Sequence, residues 1–211
     1  RLEIGDEKEF PLEYFDFYFI RQDPPFDLNY VSNCYLLEIH KKFHKKPLFI
    51  NDPSGIKDFT EKIFPLYFKK FMPSTMITGN FTSFKSMLLK FKKVILKPLY
   101  FKGGEGILKV DENDNFCKEE FDKLVNSFQS PLVVQEFLQN VRFGDKRVIL
   151  IDGEPVGAIN RVPKEGNYKA NLHLGGITEK TKLSTKENLI CSHLKPVLKK
   201  NLLFFVGIDI I

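Results

Sequence analysis

Three strand-like apolar runs each carry a lone charge. Lys97 follows Val94-Ile-Leu96, Arg147 precedes Val148-Ile-Leu-Ile151, and Asp209 interrupts Val206-Gly-Ile-Asp-Ile210. A charge so placed is costly unless an opposite charge, a phosphate or a metal meets it, so the three together point to one site for a polyanion and a metal ion. The compact ammonium of Lys97 suits bridging of phosphate oxygens as a point charge, whereas Arg147 and Arg161 offer forked donors for phosphate or carboxylate. The plainer alternatives are a snorkelling edge lysine at 97 and a structural Asp145–Arg147 pair. Asp209 lies in a strand read as apolar on both faces, so its carboxylate is expected to be buried beside a cation. Magnesium is its natural partner where a nucleotide binds, since that ion takes one or two carboxylates plus phosphate oxygens.

Leu99-Tyr-Phe-Lys-Gly-Gly-Glu-Gly106 follows the Lys97 strand, and its glycines let backbone amides approach an anion. It lacks the Gly-Lys-Ser/Thr of a Walker loop, and a strand rather than a helix follows, which excludes a dinucleotide fingerprint. A glycine-containing β-hairpin explains it equally well. Gln135-Glu-Phe-Leu138 ends a strand and could present backbone groups to a purine, with Glu136 on a ribose hydroxyl. Arg21-Gln-Asp-Pro-Pro-Phe-Asp27 is a rigid loop displaying Arg21, Asp23 and Asp27. His173 has no partner at triad spacing, so a positioning role or none is expected.

These residues need a frame. Asp16–Ile20 and Pro47–Ile50 read as strands, flanking a helix over 28–40 capped by Asp27 with Val31, Tyr35 and Ile39 on its apolar face. Asp52-Pro53-Ser54 opens a helix carrying Ile56, Phe59, Ile63 and Phe64, which Pro65 ends or kinks and on which Lys62 rides. A strand over 76–78, a helix near 81–92 capped by Asn80, strands at 94–96 and 107–110, a helix near 117–128 and a strand at 132–135 form a compact α+β unit. Asp152-Gly-Glu154 joins two antiparallel strands. Pro163–Gly176 is too long for a mere connection and reads as a functional loop. A helix over about 184–200 and a strand from Phe204 close the sequence.

Composition is that of an ordinary globular protein: 211 residues, 43% hydrophobic, 28% charged. The net charge of +5 is mostly lysine spread along helices, with only five arginines, which suits a solvated surface rather than a nucleic-acid stripe. The aromatics, such as Phe121 and Phe128, are expected to fill the interior. Cys34, Cys117 and Cys191 lack the pairing of a zinc site or disulfide framework, which favours a reducing, cytoplasmic setting. No run reaches the roughly 20 apolar residues of a membrane helix. The absence of an initial Met and the final hydrophobic strand suggest a fragment.

Taken in order, the Pro-Pro loop, Thr60-Glu-Lys-Ile-Phe64, Ile95-Leu-Lys-Pro-Leu99, Gly103-Gly104, Gln135–Leu138, Gly144-Asp-Lys-Arg-Val148, Asp152-Gly-Glu-Pro155, Asn160-Arg-Val-Pro163, Asn171–Gly176 and Phe205–Ile211 resemble bacterial-type glutathione synthetase. That family belongs to the ATP-grasp superfamily. The resemblance implies an α/β (α+β) ATP-grasp fold over 56–211, with a lid at about 75–135, preceded by the tail of an N-terminal substrate domain over 1–55. It implies ATP-dependent ligation of γ-glutamylcysteine and glycine through an acyl phosphate, with magnesium, or manganese in its place.

The same resemblance implies that Lys62 and Lys97 hold the phosphates, that Gly103 and Gly104 fold over them, and that Gln135, Glu136, Phe137 and Leu138 line the adenine and ribose pocket, with Asp145 also in the nucleotide site. Arg147 and Arg161 would be catalytic and Asp209 the metal ligand. Arg21, Lys169, Asn171, Gly175 and Gly176 would bind substrate. Lys169 stands where the family pattern has arginine, and Phe101 where it has glycine. The family also continues into a Glu-Ile-Asn segment with further magnesium ligands. The resemblance also implies a homo-oligomer, commonly a tetramer, while the composition implies neither a nucleic-acid nor a membrane partner. The rival readings are an ATP-grasp ligase that adds an amino acid such as glutamate to a peptide or protein C-terminus, and a non-catalytic nucleotide-binding module.

Overall fold

The computed structural model describes residues 5–164 and 177–211. A small parallel sheet pairs β1 (Phe17–Phe19) with β2 (Leu48–Ile50), and α1 (Leu28–Phe43) crosses between them. Asp27 caps α1 by accepting from the Tyr30 amide at 2.9 Å. The buried residues of α1 are Tyr30 and Cys34. Tyr35 and Ile39 are exposed, so the expected apolar face at Val31, Tyr35 and Ile39 is displaced by one position around the helix: α1 packs through the small Cys34.

The helix opened by Asp52 is shorter than the pattern predicts. It ends as α2 (Pro53–Asp58), and a turn at 61–63 leads into a 3-10 run over Phe64–Phe71. Pro65 sits at the start of that run, where its missing amide and fixed φ are tolerated. Lys62 therefore projects from a turn and does not ride on a helix. Ile56, Phe59, Phe64 and Phe68 still pack inward together.

β3 (Thr75–Thr78), α3 (Phe81–Phe91), β4 (Lys93–Pro98), β5 (Leu108–Asp111), α4 (Lys118–Phe128) and β6 (Leu132–Glu136) build the expected α+β unit, an antiparallel sheet in the order β3-β6-β4-β5. Alternation sends Val94, Leu96, Val110, Leu132 and Val134 to the helix side, where they meet Phe84, Met87, Leu88 and Phe121. Phe84 and Phe121 stack at 5.1 Å between ring centroids. Truncating either to alanine removes about 3–5 kcal/mol.

The second sheet has the order β10-β7-β8-β9, all antiparallel, from β7 (Asp145–Ile151), β8 (Glu154–Val162), β9 (Ile177–Lys180) and β10 (Phe205–Ile210). Asp152 and Gly153 turn the β7–β8 hairpin with φ of 52° and 77°, as the Asp-Gly signal predicts. β9 was not foreseen, because its four residues Ile-Thr-Glu-Lys carry little apolar pattern. One face packs Val148 and Leu150 on Cys191, Leu194 and Leu198 of α5 (Thr185–Lys200). Ser184 and Glu187 form a capping box at the start of α5. Asn51 ties the β2 end to β10, donating to the Phe205 carbonyl at 2.8 Å and accepting its amide at 2.6 Å.

The aromatics divide. Those of the β3–β6 unit are interior, but Phe10, Phe15, Phe17, Phe19 and Phe43 are exposed, contrary to the expectation that aromatics simply fill the core. Among the described residues no helix is long and apolar enough to cross a membrane.

Candidate active site

Each large sheet turns one face to its helices and leaves the other for polar work. On β4, Val94 and Leu96 point to the core, so Ile95 and Lys97 share the opposite face, with Gln135 paired opposite Ile95 and Thr75 opposite Gln135. A relay results: Lys97 Nζ donates to Gln135 Oε1 at 2.7 Å, Gln135 Nε2 donates to Thr75 Oγ1 at 2.7 Å, and Thr75 donates to the Pro73 carbonyl at 2.8 Å. Burial pushes the Lys97 ammonium below the ordinary lysine value, and Lys62 pushes the same way; Glu61, Asp209 and Asp145 oppose them. Lys97 and its surroundings thus bring together residues from 61 to 209.

Lys62 donates to the Phe101 carbonyl and lies 3.2 Å from Glu61. Phe101 packs edge-on against Phe128 at 4.9 Å, so the aromatic in place of an expected glycine anchors the start of the glycine loop. That loop links β4 to β5, which makes it a hairpin connection as well as a candidate anion loop. Gly103, Gly104 and Gly106 have φ of 67°, 82° and 65°. A Cβ on Gly106 would come within 2.5 Å of Phe128 and 2.6 Å of Pro98, whereas one on Gly103 meets nothing within 4 Å. The first glycine loop position is open and the last is wedged.

On the second sheet four charges share one face. Asp145 and Arg147 alternate on β7, Arg161 pairs opposite Asp145, and Asp209 pairs opposite Arg147. Arg161 holds Asp145 with two bonds, of 2.6 and 2.8 Å, and reaches Asp209 at 2.9 Å. Arg147 grips Asp209 with Nε and Nη2, the latter at 2.8 Å. The anticipated Asp145–Arg147 pair is therefore replaced by cross-strand pairs, because neighbours on adjacent strands are closer than i,i+2 residues on one strand. Burial disfavours the Arg161 charge, but bonding to Asp145 and the charges of Asp209 and Asp145 outweigh it and raise its pKa.

Asp209 corrects the sequence reading. It is 42% exposed at its side chain, because only Val206, Ile208 and Ile210 face the α5 core and Asp209 alternates to the other side. Its cations are two guanidinium groups.

Glu136 bonds weakly to the Ser74 amide at 3.4 Å, and the Phe137 amide donates to the Lys93 carbonyl at 3.1 Å. Residues 137–144, with a 3-10 turn over Gln139–Phe143, connect the two sheets. Leu138 opens that turn. Arg21 lies over the Phe205 ring at 5.5 Å, which brings the Pro-Pro loop to the start of β10. Lys169, Asn171, Gly175, Gly176 and His173 lie outside the described residues. Sequence reasoning missed Thr75 and Glu61; no local signal marks Thr75, whose partner is 60 residues away on β6. Hollows of about 440 and 320 Å³ border these residues, the first lined by groups such as Phe143, Lys146 and Asn160 and the second by Pro73 and Thr75 of the relay with Leu66 and Phe91. They include none of Lys62, Lys97, Arg147, Arg161 or Asp209.

Comparison with known proteins matches this sequence to one family. The family model described as prokaryotic glutathione synthetase, ATP-grasp domain, matches residues 61–211, and that described as prokaryotic glutathione synthetase, N-terminal domain, matches residues 1–57. The glutathione synthetase of Mesorhizobium japonicum (strain LMG 29417 / CECT 9101 / MAFF 303099) is 42% identical over 99% of this chain and 66% of its own length. That of Brucella melitensis biotype 1 is 41% identical over the same shares, 99% and 66%. The chain thus spans 66% of the length of these curated relatives. Among solved structures, D-alanine–D-alanine ligase from Bacillus anthracis complexed with ATP superposes with a TM-score of 0.62 at 12% identity, over 93% of this chain and 63% of that one. This last likeness is one of fold. On the match of both family models, which together cover nearly all of the sequence, the chain belongs to the prokaryotic glutathione synthetase family.

Proposed function

We propose that this chain is part of an ATP-dependent carboxylate–amine ligase that joins γ-glutamylcysteine to glycine, releasing ADP and phosphate. The observation that carries the reading is the setting of Lys97: a half-buried ammonium bonded to the neutral Gln135 and, among the described residues, to no carboxylate. Glu61, Asp209 and Asp145 act on it without bonding to it, and a phosphate would supply the bonded counter-charge.

In this reading residues 1–55 belong to the substrate domain and 56–211 to the ATP-grasp domain, with the lid at about 75–135. Lys62 and Lys97 neutralise the nucleotide phosphates. Gly103 and Gly104 bring backbone amides over them, and Lys62, now on the Phe101 carbonyl, exchanges that oxygen for a phosphate oxygen. Gln135–Leu138 line the base and ribose, with Glu136 on a ribose hydroxyl. A cysteinyl carboxylate oxygen attacks the γ-phosphorus and ADP departs. The glycine amine then attacks the acyl carbon, expels phosphate and gives up its proton. Arg147 and Arg161 neutralise the charge that develops on the transferring phosphoryl and acyl oxygens, the dominant need in such transfers. Asp145, on two Arg161 nitrogens, orients that guanidinium. Arg21, Lys169, Asn171, Gly175 and Gly176 hold the peptide.

The donor chemistry at Asp209 fits magnesium under one condition. A single carboxylate already held by two arginines is freed for an ion when phosphate arrives to take those arginines, so metal and nucleotide enter together. A bound ion supplies Lewis-acid neutralisation of phosphate charge. Three free thiols suit a reducing, cytoplasmic setting, and a homo-oligomer is the expected assembly.

The test is ADP release by the intact gene product with magnesium-ATP and γ-glutamylcysteine, with and without glycine, and product mass. Glycine-dependent ADP together with glutathione supports the reading. ATP binding without turnover on that pair would redirect it to another acceptor or to a non-catalytic module.

A further inference from the structure

A second constellation lies on elements that contribute none of the lysines and arginines above. His40 lies in the last turn of α1 and His44 is its C-cap with extended backbone, and the two rings stack at 4.4 Å. Glu13, in a 3-10 turn over Leu12–Tyr14, reaches across to them, its carboxylate 2.8 Å from His44 Nδ1. One ligand atom from each of the three lies within 4.8 Å of the others. We propose that Glu13, His40 and His44 form a zinc site that clips the segment before β1 to the end of α1.

The chemistry favours zinc over the magnesium expected at Asp209. Two imidazoles and one carboxylate suit a borderline ion that accepts three protein ligands and a water, whereas magnesium prefers an all-oxygen shell. Bonds of about 2.0–2.2 Å set ligand atoms on one tetrahedral ion about 3.3 Å apart; Glu13 and His44, now hydrogen-bonded at 2.8 Å, must part a little to admit the ion and His40 must close on them, adjustments that side-chain rotation supplies. An outer partner is already in place: His40 Nε2 lies 2.9 Å from the Lys46 carbonyl. A carbonyl only accepts, so Nε2 is the protonated nitrogen and the neutral ring keeps Nδ1 bare, in the manner of metal-binding histidines. The nearby Lys41, Lys42, Lys45 and Lys46 disfavour a cation held by charge alone and leave the imidazole bonds to carry the selectivity.

The experiment is a Zn²⁺ titration of the full-length protein against a chromophoric chelator, in excess magnesium, with the exposed Cys117 changed to serine in every sample. One Zn²⁺ is expected per site. His40→Gln, His44→Gln and Glu13→Gln should each weaken it by at least the roughly 10–100-fold that loss of a supporting partner costs, while Glu13→Asp retains it. Unchanged zinc affinity in the His40→Gln/His44→Gln double variant overturns the proposal. In the parent, zinc should shift the ring resonances of His40 and His44 and spare the half-buried His193, which packs on Phe71. Failure to shift either resonance overturns it regardless of how the variants fold.

Discussion

The two large sheets handle charge in opposite ways. In the β3–β6 unit Lys97 is bonded, among the described residues, to no carboxylate, and its ammonium is destabilised by burial. The β7–β10 sheet carries two arginines and two aspartates, each guanidinium bonded to a carboxylate. The first arrangement costs the fold something until an anion arrives; the second is complete without one. A phosphate should therefore bind Lys97 by relieving an existing penalty, but must compete with Asp209 and Asp145 for the arginines. In the proposed reading, affinity falls to one sheet and charge exchange during reaction to the other.

The contrast breaks most visibly in stability. Arg161→Met leaves Asp145 without its bidentate partner at a site where the two side chains are only 10% and 18% exposed, and should cost about 2–4 kcal/mol, measured by urea unfolding. Lys97→Met should leave the urea midpoint unchanged or raise it. If both variants lost stability alike, the contrast would fail.

In ATP affinity the order reverses. Lys97→Met should weaken ATP by about 10–100-fold, the equivalent of the roughly 1.5–3 kcal/mol typical of a charged hydrogen bond; calorimetry with an affinity equal to the parent's would remove Lys97 from the phosphate site. The glycine loop gives a graded version. Gly106→Ala, with both a positive φ and the Phe128 and Pro98 contacts, should cost about 1–3 kcal/mol of stability, and Gly103→Ala, with φ alone against it, about 1 kcal/mol.

Acidity sharpens the same point. Burial lowers the folded pKa of Lys97, so between that value and the ordinary lysine value the unfolded chain holds more protons, and stability contributed by this residue rises with pH. The penalty is present below the folded pKa and relieved above it. If Lys97 holds the ATP phosphates as proposed, ATP needs the ammonium and its affinity should fall as pH rises through that lowered pKa. Lys97→Arg should flatten the fall, and superimposable profiles for parent and variant would exclude Lys97 as its source. The smallest effect is expected at Lys118, whose surface pair with Asp122 is screened by water: Lys118→Ala should leave the unfolding curve unmoved.

What was legible in the sequence was local. Asp27 and Asn80 cap their helices, Asp152-Gly153 turns the hairpin, and α3, β4, β5, α4 and β6 fall close to where apolar periodicity puts them, because these signals act within one or two turns of chain. The lone charges at 97, 147 and 209 also marked residues that the fold brings into one another's electrostatic reach. Only the tertiary structure decided their partners. Arg147 meets Asp209 across 62 residues, Gln135 meets Thr75 across 60, and Asp209 faces outward because β10 pairs with β7 in one register and not the next. Strand pairing sets such contacts from the balance of whole faces against their helices, and a single residue's neighbours in sequence carry no record of which face wins.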